Sequence, residues 1–197
     1  MEHLLNSYLL SFCYQFHAVL NTLIMKKQKS GYSLNHYYEI VRNAVMGMHQ
    51  RRMRPTVVDK ATQALVNASI INQNYFVFED LYADVDNIIG GIKGIGPLTV
   101  YDAALKLGCV MNPRVFPKDY VYIFANAPYK AACKLYGKQL KNIEPISTFS
   151  NYFDKVPSMY IEDFFCVMGQ FIIGKNSVMT VGTKELNKEL RKYVIQL

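Results

Sequence analysis

Residues Ile92-Lys93-Gly94-Ile95-Gly96-Pro97-Leu98-Thr99 constrain this chain more than any other stretch. Two glycines and a proline fall within four residues, between two segments of helical spacing. Glycine tolerates the positive φ and the close approach that a tight interhelical turn demands. A proline one step later suits the first position of a helix, where its missing N–H costs nothing. The spacing therefore predicts a helix over 78–89, a turn, and a second helix over 97–107 that Gly108 caps. The start of that second helix would present unpaired amides and a positive dipole end. An anion is the ligand such a terminus holds.

Helical spacing extends through most of the chain. Leu5, Leu9, Phe12, Phe16 and Leu20 recur at steps of three or four, which predicts a helix over roughly 3–27. Ser33 suits an N-cap for a second helix that carries Tyr37, Ile40, Val41, Ala44, Val45 and Met48 and ends before Pro55. Further helices are expected over 56–71, from Pro128 to Gly137, from Pro157 to Ile173 and from Glu185 to Ile195. Tyr120–Phe124 is rich in β-branched and aromatic residues and reads as either a short strand or buried extended chain. Residues 72–74 and 142–153 read as loops. No internal repeat, low-complexity tract or linker stands out. The expected fold class is mostly α, one helical domain over 1–197 with the helical hairpin at 78–108; two small domains sharing a core would also suit the length.

The charge of +7 is unevenly spread. Residues 1–60 carry 8 Lys/Arg against 3 acids, 101–150 carry 7 against 3, and 61–100 carry 1 against 4. Basic segments thus flank the hairpin, and excess positive charge favours polyanions such as nucleic acid. Arg51, Arg52 and Arg54 form one cluster, although cations also suit the C-terminal end of the preceding helix. Lys130, Lys134, Lys138 and Lys141 form a second, striped along one face. Cys13, Cys109, Cys133 and Cys166 lack metal-ligand spacing and read as reduced, buried thiols of a cytoplasmic protein. His3, His17, His36 and His49 are scattered, so neither a metal nor a cofactor is expected. The apolar stretch 4–25 is interrupted by polar residues too often to span a membrane, and no secretory signal pattern is present.

Ile89, Ile92, Gly94, Ile95, Gly96, Pro97, Thr99 and Val100 resemble the motif of the helix-hairpin-helix family, over about residues 83–108. Val100 stands where the family has Ala, which implies slightly splayed helices. The resemblance implies sequence-nonspecific DNA binding, with amides near Gly94, Gly96 and Leu98 on the phosphates of one strand. Lys93 and Thr99 would add side-chain contacts, and Ile95 lies within the same turn. Such contacts position a protein on nucleic acid and carry no base information. A wider likeness joins residues 94–102, Val121-Tyr122 and Ile161–Cys166 to uncharacterised bacterial proteins, and implies no activity.

An enzyme is the alternative. Helix-hairpin-helix DNA glycosylases place a catalytic Asp about twenty residues past the hairpin, and Asp119 lies 23 residues past Gly96. By that resemblance Asp119 would stabilise a cationic transition state or activate water. Leu98 occupies the position of the imine-forming Lys, and there is no cysteine cluster for an iron–sulfur site, so the lyase chemistry is unsupported. A third reading makes the hairpin a buried helical corner in a protein-interaction module. Asp102 suits the dipole at the start of its helix, and Glu162-Asp163 reads as an acid pair near a helix front. Tyr37, Tyr38, Tyr120, Tyr122 and Tyr129 fit either base stacking or the border between core and surface.

Overall fold

The computed structural model describes Leu5, Tyr8 and residues 34–46, 53–124 and 126–174. Among these residues it is mostly helical, with seven α-helices and one two-stranded sheet. The expected helices over 3–27 and 185–195, apart from Leu5 and Tyr8, lie outside the described residues, as do Ser33, Arg51 and Arg52. The chain divides into two compact units, 18–117 and 1–17 with 118–197.

The unit 18–117 contains α1 (Leu34–Val45), α2 (Pro55–Asn67), α3 (Phe78–Val85) and α4 (Pro97–Val110). A short 3₁₀ turn, Ile70–Asn72, follows α2, and Asp86–Gly90 continues α3 as a π-helical turn. Pro55 and Pro97 each occupy the first turn of their helix, where a proline removes no helical hydrogen bond. The core is built from one stripe of each helix: Ile40, Val41 and Ala44 of α1, Val58, Ala61 and Leu65 of α2, and Phe78, Leu81 and Val85 of α3. Helix α4 differs, because every residue from Thr99 to Val110 is buried. Its Tyr101 ring meets Phe78 edge-on at 5.9 Å and joins the two arms of the hairpin.

Gly108 does not cap α4. It lies inside the helix, and the chain beyond Met111 turns back across it, so that the Val115 amide donates to the Gly108 carbonyl at 3.0 Å. A Cβ on Gly108 would stand 2.1 Å from the Val115 carbonyl oxygen. The glycine is there for close backbone approach rather than for a left-handed cap.

The other unit holds β1 (Tyr120–Tyr122), α5 (Asn126–Tyr136), β2 (Ile143–Pro145), α6 (Ser150–Phe153) and α7 (Ser158–Ile172). Tyr120–Tyr122 is a strand, paired antiparallel with Ile143–Pro145 in the register Val121 to Glu144. Residues 142–153 are therefore not a loop: they supply β2, a 3₁₀ turn and α6. Helix α5 ends in a left-handed Gly137 (φ +61). Its amide reaches the Lys134 carbonyl, and the Lys138 amide reaches that of Cys133, the paired bonds of a Schellman ending. Helix α5 packs on α7, where Gly169 leaves room for Ala127 and Ala131. Helix α7 is buried from Tyr160 to Gly169.

Glu162 and Asp163 are therefore not helix-front acids: both lie in the buried middle of α7, 1% and 4% exposed. The Tyr8 hydroxyl donates to Asp163 at 2.6 Å, and the Cys166 thiol to Glu162 at 2.8 Å. A buried carboxylate is tolerable only with such partners.

Candidate nucleic-acid interface

The turn between α3 and α4 is closed by its own backbone. The Ile92 amide donates to Ile89 at 3.0 Å and the Ile95 amide to Ile92 at 2.9 Å. Gly94 has φ +103, the region an L side chain rarely enters, so the sequence requirement for glycine is met there. Gly96 instead has φ −117 and serves as the extended N-cap of α4. A Cβ on Gly96 would meet no atom within 4 Å.

The rim of this turn lies at the surface. Gly91, Lys93, Gly94 and Pro97 are exposed, and Gly96 and Leu98 are half-buried. Ile95 and Thr99 turn inward, 9% and 1% exposed. This removes the side-chain role expected of Thr99, because its hydroxyl cannot reach a ligand outside. The Ile95 and Thr99 amides are also already used, the latter by the Gly96 carbonyl at 2.9 Å. Of the expected donors, Gly96 and Leu98 keep the geometry of an anion site: Leu98 lies too early in α4 to find a helical acceptor.

A further element borders the turn. The side chain of Val57 is 3.4 Å from where a Gly94 Cβ would lie, which sets the first turn of α2 against the glycine turn. Arg54, exposed, is the N-cap of α2, and its carbonyl receives the Val57 and Val58 amides. Two helices thus begin beside Gly94, each with its positive dipole end there. Sequence reasoning found Arg54 as a cation and a helix from residue 56, but not that this helix begins beside Gly94. The helix start itself was legible: Arg54-Pro55-Thr56 repeats the Gly96-Pro97-Leu98 arrangement of an N-cap followed by proline.

The remaining expected residues fall elsewhere. Lys130 and Lys134 are exposed on α5, in the other compact unit from the hairpin. Asp119 is exposed at the foot of β1, where its backbone carbonyl accepts from Ile146 at 2.8 Å. Extruding a base requires an enclosed pocket, and an exposed carboxylate on a two-stranded ribbon does not resemble one. Among the described residues no cluster of His, Cys, Asp or Glu could hold a metal ion, and no helix is long and apolar enough to cross a membrane.

Beneath the hairpin lies a charge that sequence reasoning passed over. Lys106 is 4% exposed, and its ammonium donates to the carbonyls of Asn43 at 3.1 Å and Met46 at 2.5 Å. It therefore caps the C-terminal carbonyls of α1, the end that favours a cation. Burial pulls its pKa down to about 8, against the opposing pull of Asp102 one helical turn away. Asp102 is 4% exposed, so it is an interior partner rather than a dipole-facing surface acid. Unfolded, Lys106 would titrate near its ordinary 10.5. Between pH 8 and 10.5 the unfolded chain then holds a proton that the folded chain has released, so this residue's contribution to stability rises with pH. The pull on Cys109, raised by burial to about 12, runs the other way above pH 9. The difference in unfolding free energy between wild type and Lys106→Met isolates the lysine. It should shift in favour of wild type by on the order of 2–3 kcal/mol from pH 8 to 10.5, read by denaturant melts; a flat difference contradicts the assignment.

No protein-family model matches this chain, and no curated protein or solved structure is detectably similar to it.

Proposed function

We propose that this protein binds DNA without sequence preference, gripping backbone phosphates at the turn between α3 and α4. The observation that carries the reading is the start of two helices, α2 and α4, beside one exposed glycine turn. A Cβ on Gly96 would meet open space, Gly96 and Leu98 stand at the N-cap and first turn of α4, and Lys93 and Arg54 supply exposed positive charge. The net charge of +7 raises the local concentration of a polyanion and makes affinity depend on released counterions. Arg51 and Arg52, next to Arg54 in the sequence, would extend the footprint in the same way. The exposure of Gly91, Lys93, Gly94 and Pro97 favours this over a hairpin buried as a structural corner. Free Cys109, Cys133 and Cys166 suit a reducing cytoplasm.

Gly96→Ala is the clean test, because its backbone is ordinary and its Cβ meets nothing in the free protein. The variant should stay folded, losing no more than about 1 kcal/mol for alanine at an N-cap, yet bind an arbitrary duplex about tenfold more weakly, since the added methyl holds a phosphate away from the amides. Lys93→Gln should weaken binding less and lower the slope of log affinity against log salt by about one. Wild-type affinity in both variants would remove the hairpin from the interface.

A further inference from the structure

The opposite end of α3 from the glycine turn carries a different kind of surface. Phe76 is 86% exposed and Val77 46%, while the residues on either side, Tyr75 and Phe78, are 6% and 1% exposed. Tyr75 is fixed by its hydroxyl, 2.8 Å from Asp84 Oδ2 and 2.9 Å from Gln73 Oε1. Phe78 is fixed against Tyr101. Two buried rings therefore flank Phe76-Val77 and hold the backbone that presents the apolar pair outward.

The charge on this helix is negative. Beside the pair Asp80 is exposed and Glu79 half-exposed, half-exposed Asp84 reaches back to the Tyr75 hydroxyl, and exposed Asp86 follows at the far end of α3. These are the four acids of residues 61–100, where Lys93 is the one cation, in a chain of net charge +7. Phosphates are repelled from such a surface, whereas a cation is drawn to both the carboxylates and the Phe76 ring face. We infer that Phe76, Val77 and Asp80 dock a cationic protein segment, one that sets an apolar side chain beside lysine or arginine. The inference does not depend on the nucleic-acid reading, which uses the other end of the hairpin.

The test uses the full chain, ¹⁵N-labelled, and two short probe peptides, one of leucine and arginine and one with every arginine replaced by glutamate. The leucine–arginine peptide should shift the backbone amides of residues 76–84 in a salt-sensitive way, and the glutamate peptide should not. Phe76→Ser, a change at the surface, should weaken the arginine peptide about tenfold. Asp80→Lys should do the same, while Asp154→Lys, at an exposed acid of the other unit, should change little. Shifts that map elsewhere would overturn the inference. So would equal losses in Asp80→Lys and Asp154→Lys, which would reduce the effect to net charge. Duplex DNA that moves the 76–84 amides more than the peptide would make the occupant a nucleic acid and overturn it too.

Discussion

Gly108→Ala should destabilise the protein by about 3 kcal/mol or more, although alanine is the better helix former. On helix propensity alone, an interior Gly→Ala gains roughly 1 kcal/mol. The new Cβ, however, would stand 2.1 Å from the Val115 carbonyl oxygen and 3.1 Å from its carbon, with Leu81 Cδ2 at 3.3 Å. The nearest atoms are backbone, and the Val115–Gly108 hydrogen bond at 3.0 Å holds that backbone in place. Relief requires moving the chain after α4 away from the helix, which would break that bond. Gly91→Ala is the internal comparison: its Cβ meets nothing within 4 Å, so it should be neutral or mildly stabilising. Urea melts of the two variants decide the matter, and a Gly108→Ala protein more stable than wild type would mean that the fold-back is wrong.

Phe164→Ala should cost about 3–5 kcal/mol, the range for removing a buried aromatic ring. Its ring is fully buried and meets three others edge-on: Tyr8 at 5.6 Å, Phe153 at 5.0 Å and Phe165 at 5.5 Å. Four mutually tilted rings cannot all shift to fill the space of one, so most of the cavity should persist. Phe164→Leu keeps much of the volume and should cost nearer 1–2 kcal/mol. The same melts measure both, and a loss below about 1 kcal/mol in the alanine variant would show that α7 is not packed as described.

What could be read from the sequence was the chemistry of single residues in local backbone. Proline after glycine announced the start of α4, and Gly94 announced a left-handed turn, because both effects act within a few residues. Gly137 ended α5 for the same reason. Tyr120–Tyr122 was legible as strand-like from its side chains, but its partner was not. Ile143–Pro145 is three residues long, ends in proline and is half-exposed, so it becomes a strand only by pairing with β1. Gly108 looked like a cap because a glycine near a helix end usually is one; that the chain recrosses it is a tertiary fact. Lys106 and the Glu162-Asp163 pair were read as ordinary surface charge or passed over, since sequence does not show which carbonyls or hydroxyls will stand opposite. Thr99 fell inward for a similar reason: the amides at a helix start face out, but a side chain in the first turn follows the packing of its own helix. The glycine turn and the start of α2 were therefore each visible, and their juxtaposition was not.

The most direct test of the phosphate-binding turn is a titration of the ¹⁵N-labelled chain with an arbitrary duplex at low ionic strength, following each backbone amide. The largest shifts should fall on Gly96 and Leu98, with Lys93, Gly94 and Thr56 close behind. They should be the same for duplexes of unrelated sequence and should fade as salt is added. Binding that leaves the amides of residues 93–98 unmoved, or no binding at low salt, would contradict the account.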